Sequence, residues 1–174
     1  MAEEATGRTA TAVSLGETLA GKYLTFQLGA EEYGLAILKV REIIGLLEIT
    51  AVPRTPEFVR GVINLRGKVI AVVDLRAKFG MMSVEDTDQT CIIVVDAQAG
   101  DRVMQMGVLV DRVSEVRDID AGSIEPPPAF GLAIDTSFIL GMGKVSERVL
   151  MLLDVDKVLS VSELVAVDGV ASDF

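Results

Sequence analysis

Apolar and polar residues alternate along short segments of this chain, with the period of two that is typical of β-strands. Leu24, Phe26 and Leu28 are separated by Thr25 and Gln27, so one face of this segment is apolar and the other polar. Glycine, proline and aspartate lie between the apolar segments, as in all-β domains. Further strands are predicted at 33–37, 62–65, 69–75, 91–95, 104–110 and 149–153. The pattern predicts a mainly β fold with short helical segments.

The second half of the chain repeats the pattern of the first half. One register, without a gap, aligns Phe58, Gly61, Val69 and Asp74 with Phe138, Gly141, Val149 and Asp154. A second register, upstream, aligns Gly34, Val40, Glu42 and Pro53 with Gly107, Val113, Glu115 and Pro126. Glycine, proline and aspartate fix turns, so their recurrence indicates one supersecondary unit used twice. We expect two similar small β-barrels of about five strands, at about 22–80 and 90–160, which could exchange strands.

The organised part of the chain is predicted to span residues 21–164. Residues 1–20 are rich in Ala, Thr and Glu without a sustained period, which predicts a flexible N-terminal tail, and 165–174 are predicted to form a C-terminal tail. Asp74 and Asp154 each follow an apolar strand and precede a short amphipathic segment. Since an aspartate carboxylate accepts hydrogen bonds from the free amides of a first helical turn, both are predicted helix caps.

The charge of the chain excludes several classes of partner. With 26 acidic and 16 basic residues, the formal net charge is -10. Binding to nucleic acid or to an anionic membrane surface needs concentrated Lys and Arg, and here the basic residues are scattered. Charged residues interrupt every apolar run before the roughly 18 residues of a membrane span. We therefore expect a cytoplasmic protein with no nucleic-acid partner and no direct membrane insertion.

The residues that usually carry catalysis are scarce. The chain has no His and a single Cys, Cys91, which the pattern places in a buried strand. Its glycines do not form a phosphate-binding loop, and its carboxylates do not have the spacing of a calcium loop. These absences predict a protein that is not an enzyme and holds no cofactor or metal. Two alternatives stay open: a carboxylate-only enzyme, and a domain that binds a small ligand inside a barrel, although small barrels fill their interior with side chains.

The most specific segment is 52–76, VPRTPEFVRGVINLRGKVIAVVDLR. It predicts a proline-fixed approach, a strand, a tight turn near Arg66 and Gly67, and a second strand. Gly67 supplies the positive φ that a tight hairpin turn needs. Arg66 stands at the turn, where its long side chain cannot be fully buried.

This segment resembles the run TPxFxxGVxNLRGxxxxxxDLR of the CheW family of chemotaxis coupling proteins. The resemblance extends to 32–43, 107–111 and 152–159 and so covers nearly the whole organised region. The sequence departs from the family pattern at Ala71, where a proline is usual, and in the loop at 125–128. The resemblance implies that 21–164 form a CheW-like domain of two intertwined five-stranded SH3-like β-barrels, in agreement with the internal repeat.

The resemblance also implies a function. It predicts a non-catalytic adaptor that couples the cytoplasmic tip of methyl-accepting chemoreceptors to the regulatory domain of the histidine kinase CheA, recruited to membrane-associated receptor arrays. A paralogous adaptor serving a twitching or surface-sensing array is the alternative. The residues that match the family's receptor face are Val40, Glu42, Gly61 and Arg66, and those that match its signalling-assembly interface are Gly107, Val113 and Val116.

Each receptor-face residue also has a purely structural interpretation. Val40 could be a core residue, and Gly61 could be a turn glycine whose substitution would disturb binding through the fold. Glu42 is expected to be exposed and to contribute register and association rate more than affinity. Arg66 is either a solvated charge or an anchor for a partner carboxylate, since its planar guanidinium can form a bidentate contact.

Overall fold

A computed structural model of the chain describes residues 16–99, 101–127, 137–159 and 163. Within them the prediction of a mainly β fold with short helices is confirmed. The strands are β1 (Gly21–Leu28), β2 (Glu31–Ala36), β3 (Val40–Gly45), β4 (Val59–Leu65), β5 (Lys68–Asp74), β6 (Cys91–Ala99), β7 (Arg102–Val110), β8 (Arg112–Ile119), β9 (Ile124–Glu125), β10 (Ile139–Val145) and β11 (Arg148–Leu153). The short helices are a helical turn at 16–19, the 3-10 turns Ile37–Lys39 and Ala121–Ser123 and the α-helices Leu75–Lys78 and Val155–Val158.

The strands form two sheets, and each sheet takes strands from both halves of the chain. The five-stranded sheet has the order β3-β6-β7-β5-β4, and the six-stranded sheet has the order β8-β1-β2-β11-β10-β9. The second sheet exceeds the predicted five strands because the two-residue β9 pairs with β10 at its edge. Two of the pairings between halves, β2 with β11 and β5 with β7, are parallel. The halves are therefore intertwined.

The two registers found in the sequence recur in the strand pairing. Gly34 on β2 lies opposite Leu152 on β11, and Gly107 on β7 lies opposite Val72 on β5. The upstream register maps Gly34 onto Gly107, and the downstream register maps Val72 onto Leu152, so one pair is the counterpart of the other. A bulge in β4 and a bulge in β10 also fall at equivalent positions. The closure of each sheet into a barrel stays a prediction.

The core has three parts, and the central strands contribute to two of them. One cluster lies on the five-stranded sheet and includes Ile70 and Val72, while the largest cluster joins residues of both sheets and includes Ala71 and Val73. The third lies on the six-stranded sheet around Leu152. Because strands such as β5 are buried on both faces, their sequences are continuous apolar runs rather than alternations.

Both predicted helix caps are confirmed. The Asp74 carboxylate accepts a hydrogen bond from the backbone N–H of Arg76 at 3.0 Å, and the Asp154 carboxylate accepts one from Asp156 at 3.0 Å. Asp74 is the last residue of β5, Asp154 directly follows β11, and each precedes a four-residue helix as its N-cap. The two ends of the repeated unit therefore use the same turn from strand to helix.

The packed part of the chain begins earlier than the predicted boundary at residue 21. Residues 16–19 are helical, and Leu19 packs against the core of the six-stranded sheet. The Tyr23 hydroxyl donates to the carbonyl of Leu19 at 2.6 Å. The rest of the two predicted tails lies outside the described residues. Among the residues that the structure describes, no helix has the length and apolar character needed to cross a membrane.

Candidate functional site

The hairpin of β4 and β5 carries the candidate site at its turn. Arg66 and Gly67 both have positive φ, +52° and +88°, which is the backbone of a two-residue hairpin loop that follows the strand twist. The Asn64 side-chain oxygen accepts from the backbone N–H of Gly67 at 2.8 Å and closes the turn. The predicted φ of Gly67 is confirmed, while the positive φ of Arg66 was not predicted. The turn directs the Arg66 side chain outward, 71% exposed.

Arg66 has a carboxylate partner within the chain, Glu42 on β3. Its Nη1 donates to Glu42 Oε2 at 3.3 Å, and its Nη2 donates to Oε1, so the contact is bidentate. The hydrogen bond to Glu42 and its negative charge hold the pKa of the Arg66 guanidinium above its ordinary value. Glu42 was expected to be exposed, but its side chain is 30% exposed and bound to Arg66. Glu42 is partly buried because the fold brings β3 next to the turn that carries Arg66.

The ion pair joins the two ends of the five-stranded sheet. β3 and β4 are the first and last strands of that sheet, yet Glu42 on β3 binds Arg66 in the turn that follows β4. The sheet must therefore curl until its edges approach each other. We call this place the seam, formed by Glu42 and Arg66. Val40, at the start of β3, is half-buried and packs against the largest core cluster, so it is partly a core residue on the same strand.

Gly61 lies within β4, at its bulge, rather than in a turn. Its φ of +149° is unfavourable for residues with a side chain. A Cβ at this position would overlap the carbonyl oxygen of Thr50 and lie 2.8 Å from the carbonyl carbon. Thr50 and Val62 exchange two backbone hydrogen bonds of 2.9 Å at the same point. Gly61 thus permits the segment before β4 to pack onto the strand, which is the structural interpretation of this residue.

The signalling-assembly residues do not join the seam. Gly107 is buried in β7, and a Cβ there would lie 2.7 Å from Ile92 Cγ2. Val113 is half-buried against the largest core cluster. Val116 is 49% exposed on β8, an end strand of the other sheet. Of the three, Val116 presents the most surface to a partner.

The remaining chemistry of the described residues is sparse. Within residues 16–99, 101–127, 137–159 and 163, no three His, Cys, Asp or Glu side chains come together in a way that could hold a metal ion. Cys91 is half-buried rather than fully buried, and burial raises the pKa of its thiol. An exposed turn with a preformed ion pair is a surface suited to contacts with another protein. The described residues therefore form a β-rich module whose surface carries the bidentate ion pair of the seam.

Comparison with known proteins identifies the family. The family description "CheW-like domain" matches residues 22–163. Chemotaxis protein CheW of Klebsiella aerogenes is 43% identical over 156 residues, which cover 90% of this chain and 92% of that protein. Chemotaxis protein CheW of Rhizobium meliloti is 38% identical, covering 81% and 94%. The chain belongs to the CheW-like family.

A solved structure shows the same fold. The crystal structure of scaffolding protein TtCheW from Thermoanaerobacter tengcongensis matches with a TM-score of 0.73 and 37% identity, covering 83% of this chain and 96% of that one. The chain is accordingly a coupling adaptor of chemotaxis, and the names of its relatives favour chemotaxis over a twitching or surface-sensing array.

Proposed function

We propose that this chain is a non-catalytic adaptor that binds the cytoplasmic tip of a chemoreceptor through the seam and the regulatory domain of the kinase CheA through a separate surface. These two contacts recruit it to membrane-associated receptor arrays. The Glu42–Arg66 ion pair is the observation that carries the proposal, because it places two of the four expected receptor-face residues in contact, with Val40 on the same strand as Glu42.

The ion pair prepares Arg66 for a partner. A guanidinium has five N–H donors, of which Glu42 engages those on Nη1 and Nη2 that face it. The other donors stay available to a carboxylate or carbonyl on a receptor. Because Glu42 holds the long side chain in one orientation, less side-chain entropy is lost on binding. In this arrangement Glu42 is a positioning residue, and Arg66 is the contact.

The shared core explains how an adaptor without turnover can pass on a signal. The seam lies on the five-stranded sheet, while Val116 lies on the six-stranded sheet. The largest core cluster joins both sheets, so a partner bound at one surface has a defined position relative to a partner at the other. Each partner then biases the equilibrium of the other, and the coupling is reciprocal.

Arg66→Ala tests the proposal against a matched control. Arg148 on β11 is also 71% exposed and has a carboxylate, Glu32, at 3.8 Å. We expect Arg66→Ala to reduce the affinity for the receptor tip at least tenfold, while Arg148→Ala leaves it within twofold of the parent. Both variants should retain the parent melting temperature and its affinity for the CheA regulatory domain.

A second variant separates contact from positioning. Glu42→Gln keeps an acceptor for Arg66 but removes the charge, so we expect a smaller loss of receptor affinity than for Arg66→Ala. The assignment of the seam fails if Arg66→Ala binds the receptor tip as well as Arg148→Ala does. Binding of the parent to neither the receptor tip nor the kinase domain would refute the proposed function as a whole.

A further inference from the structure

The connection between the two halves is long and has no strand or helix of its own. It runs from residue 79 to residue 90, between the helix Leu75–Lys78 and β6. Most of its side chains face solvent, and Met82 is 85% exposed. It is longer than the usual connection of about 4–6 residues between elements of a compact domain. We call residues 79–90 the linker.

The strand pairings between the halves do not depend on the path of the linker. Within each half, local hairpins form from consecutive strands, such as β4 with β5 and β6 with β7. Between the halves the described residues make four pairings: β1 with β8, β2 with β11, β3 with β6, and β5 with β7. A first half can make the same four pairings with the second half of another copy. Only the linker would then follow a different path.

Side chains of the first half hold the linker in its closed path. Arg60 on β4 donates through Nη2 to Asp86 at 2.8 Å, and Arg76 donates through Nη1 to the carbonyl of Met82 at 3.0 Å. Arg76 is itself fixed by Asp111, which accepts from its Nε at 2.7 Å. The first residues of the linker are packed as well: Phe79 and Met81 contact the largest core cluster, and the Met81 N–H donates to the carbonyl of Arg76 at 2.8 Å. The Arg60 and Arg76 side chains hold the exposed part that follows, which is the part that would change its path in an exchanged pair.

We propose that two copies of this chain can exchange halves, so that residues 16–78 of one copy pair with residues 91–159 of the other, and that the grip of Arg60 and Arg76 on the linker favours the closed monomer. Exchange of identical elements retains the native contacts and is a common route to dimers. Closure within one chain competes at an effective concentration on the order of millimolar. The exchanged form is therefore reached by refolding at high protein concentration or when the linker cannot close.

The exchanged dimer would be bivalent. The seam residues and Val40 and Gly61 all belong to the first half, while Val113 and Val116 belong to the second. Each exchanged dimer carries two complete sets of both surfaces, and each set combines residues of two chains. Two linked sites can bind an array more tightly than either alone.

A cross-link that reports on chain identity can detect the exchange. Lys22 on β1 and Asp118 on β8 lie opposite each other and are both exposed. With cysteines at both positions and Cys91→Ala, a short thiol cross-linker joins the halves across this pairing. In a closed monomer the link lies within one chain and the denatured mass is unchanged. In an exchanged dimer the link joins two chains and the denatured mass doubles.

Two linker variants provide the contrast. Deletion of residues 83–86 shortens the linker and removes Asp86, and insertion of four Gly and Ser residues at the same place lengthens it. After refolding at high concentration, we expect the deletion variant to be mainly a dimer that cross-links at doubled mass. The insertion variant should give at least tenfold less of this product. A deletion variant that folds as a monomer, or a dimer that cross-links only within chains, would overturn the proposal.

Point variants cover the outcome in which the deletion variant does not fold. Asp86→Asn weakens the contact with Arg60, and Asp88→Asn alters the same linker at an exposed position two residues further on. We expect the fraction of interchain product from Asp86→Asn to be at least twice that from Asp88→Asn under identical refolding conditions. Equal fractions would contradict the proposed role of the Arg60 contact and, with a deletion variant that does not fold, would overturn the exchange itself.

Discussion

Substitution of Gly61 by alanine should destabilise the fold by an amount that the local geometry sets. The new Cβ would lie 2.8 Å from the Thr50 carbonyl carbon, and ordinary contacts begin at 3.4 Å. The segment that carries Thr50 would have to move, breaking the two 2.9 Å hydrogen bonds with Val62. Each such bond contributes about 1 kcal/mol. A side chain at φ +149° costs a further 1–3 kcal/mol or so. The expected loss is about 3–5 kcal/mol.

Urea unfolding followed by circular dichroism measures this loss. With a slope of about 2 kcal/mol per molar urea, the midpoint should fall by roughly 2 M. Gly45, at the end of β3, is the matched control, because a Cβ there would meet nothing within 4 Å. We expect Gly45→Ala to change the unfolding free energy by less than about 0.5 kcal/mol. Equal urea midpoints for Gly61→Ala and Gly45→Ala would show that a Cβ at position 61 does not clash with Thr50. Gly61 would then be interpreted as a residue that contacts the receptor directly.

Two further predictions concern ionisation and turn geometry. The hydrogen bond from Arg76 lowers the pKa of Asp111, so its stabilising contribution is complete above the ordinary carboxyl pKa of about 4 and is lost as the pH falls through the lowered value. The urea midpoint of Asp111→Asn should therefore lie below that of the parent at pH 7, and the gap should narrow below pH of about 4; a constant gap would contradict the ion-pair explanation. Glu147, the counterpart of Gly67, has φ +67°, a conformation that is unfavourable for a residue with a side chain. Glu147→Gly should therefore raise the free energy of unfolding by about 1 kcal/mol. An unchanged urea midpoint would show that the positive φ of Glu147 does not strain the turn.

The strands that were missed have identifiable reasons, although one of them, β10, is buried on one face. β3 and β8 are the end strands of their sheets, and each carries charged residues because one edge is not paired within its sheet. β10 contains Gly141 and Gly143, which are poor strand formers. A Cβ at Gly141 would lie 2.9 Å from the carbonyl oxygen of Glu125, so the glycine permits β9 to approach.

The resemblance to the family identified the candidate site residues, but the sequence did not predict which of them are in contact. Glu42 and Arg66 are 24 positions apart, and neither spacing nor periodicity connects them. Their contact depends on the curl of a whole sheet, which local patterns do not encode. Gly61 was predicted as a receptor-face residue with a turn glycine as the alternative, and its position beside Thr50 is a tertiary contact that neither interpretation contained. By contrast, the Asp74 and Asp154 caps are local and were predicted correctly.

Because the strands are intertwined, some strands are synthesised well before the strands with which they pair. The Thr25 hydroxyl on β1 donates to the carbonyl of Glu115 on β8, which is 90 residues later in the chain. At translation rates of about 5–20 residues per second, β1 leaves the ribosome roughly 5–20 s before its partner strand is made. During that interval the first half exposes strand edges that will later be covered by the second half. The nascent chain therefore passes through a stage in which its unpaired edges can meet those of a neighbouring nascent chain on the same messenger.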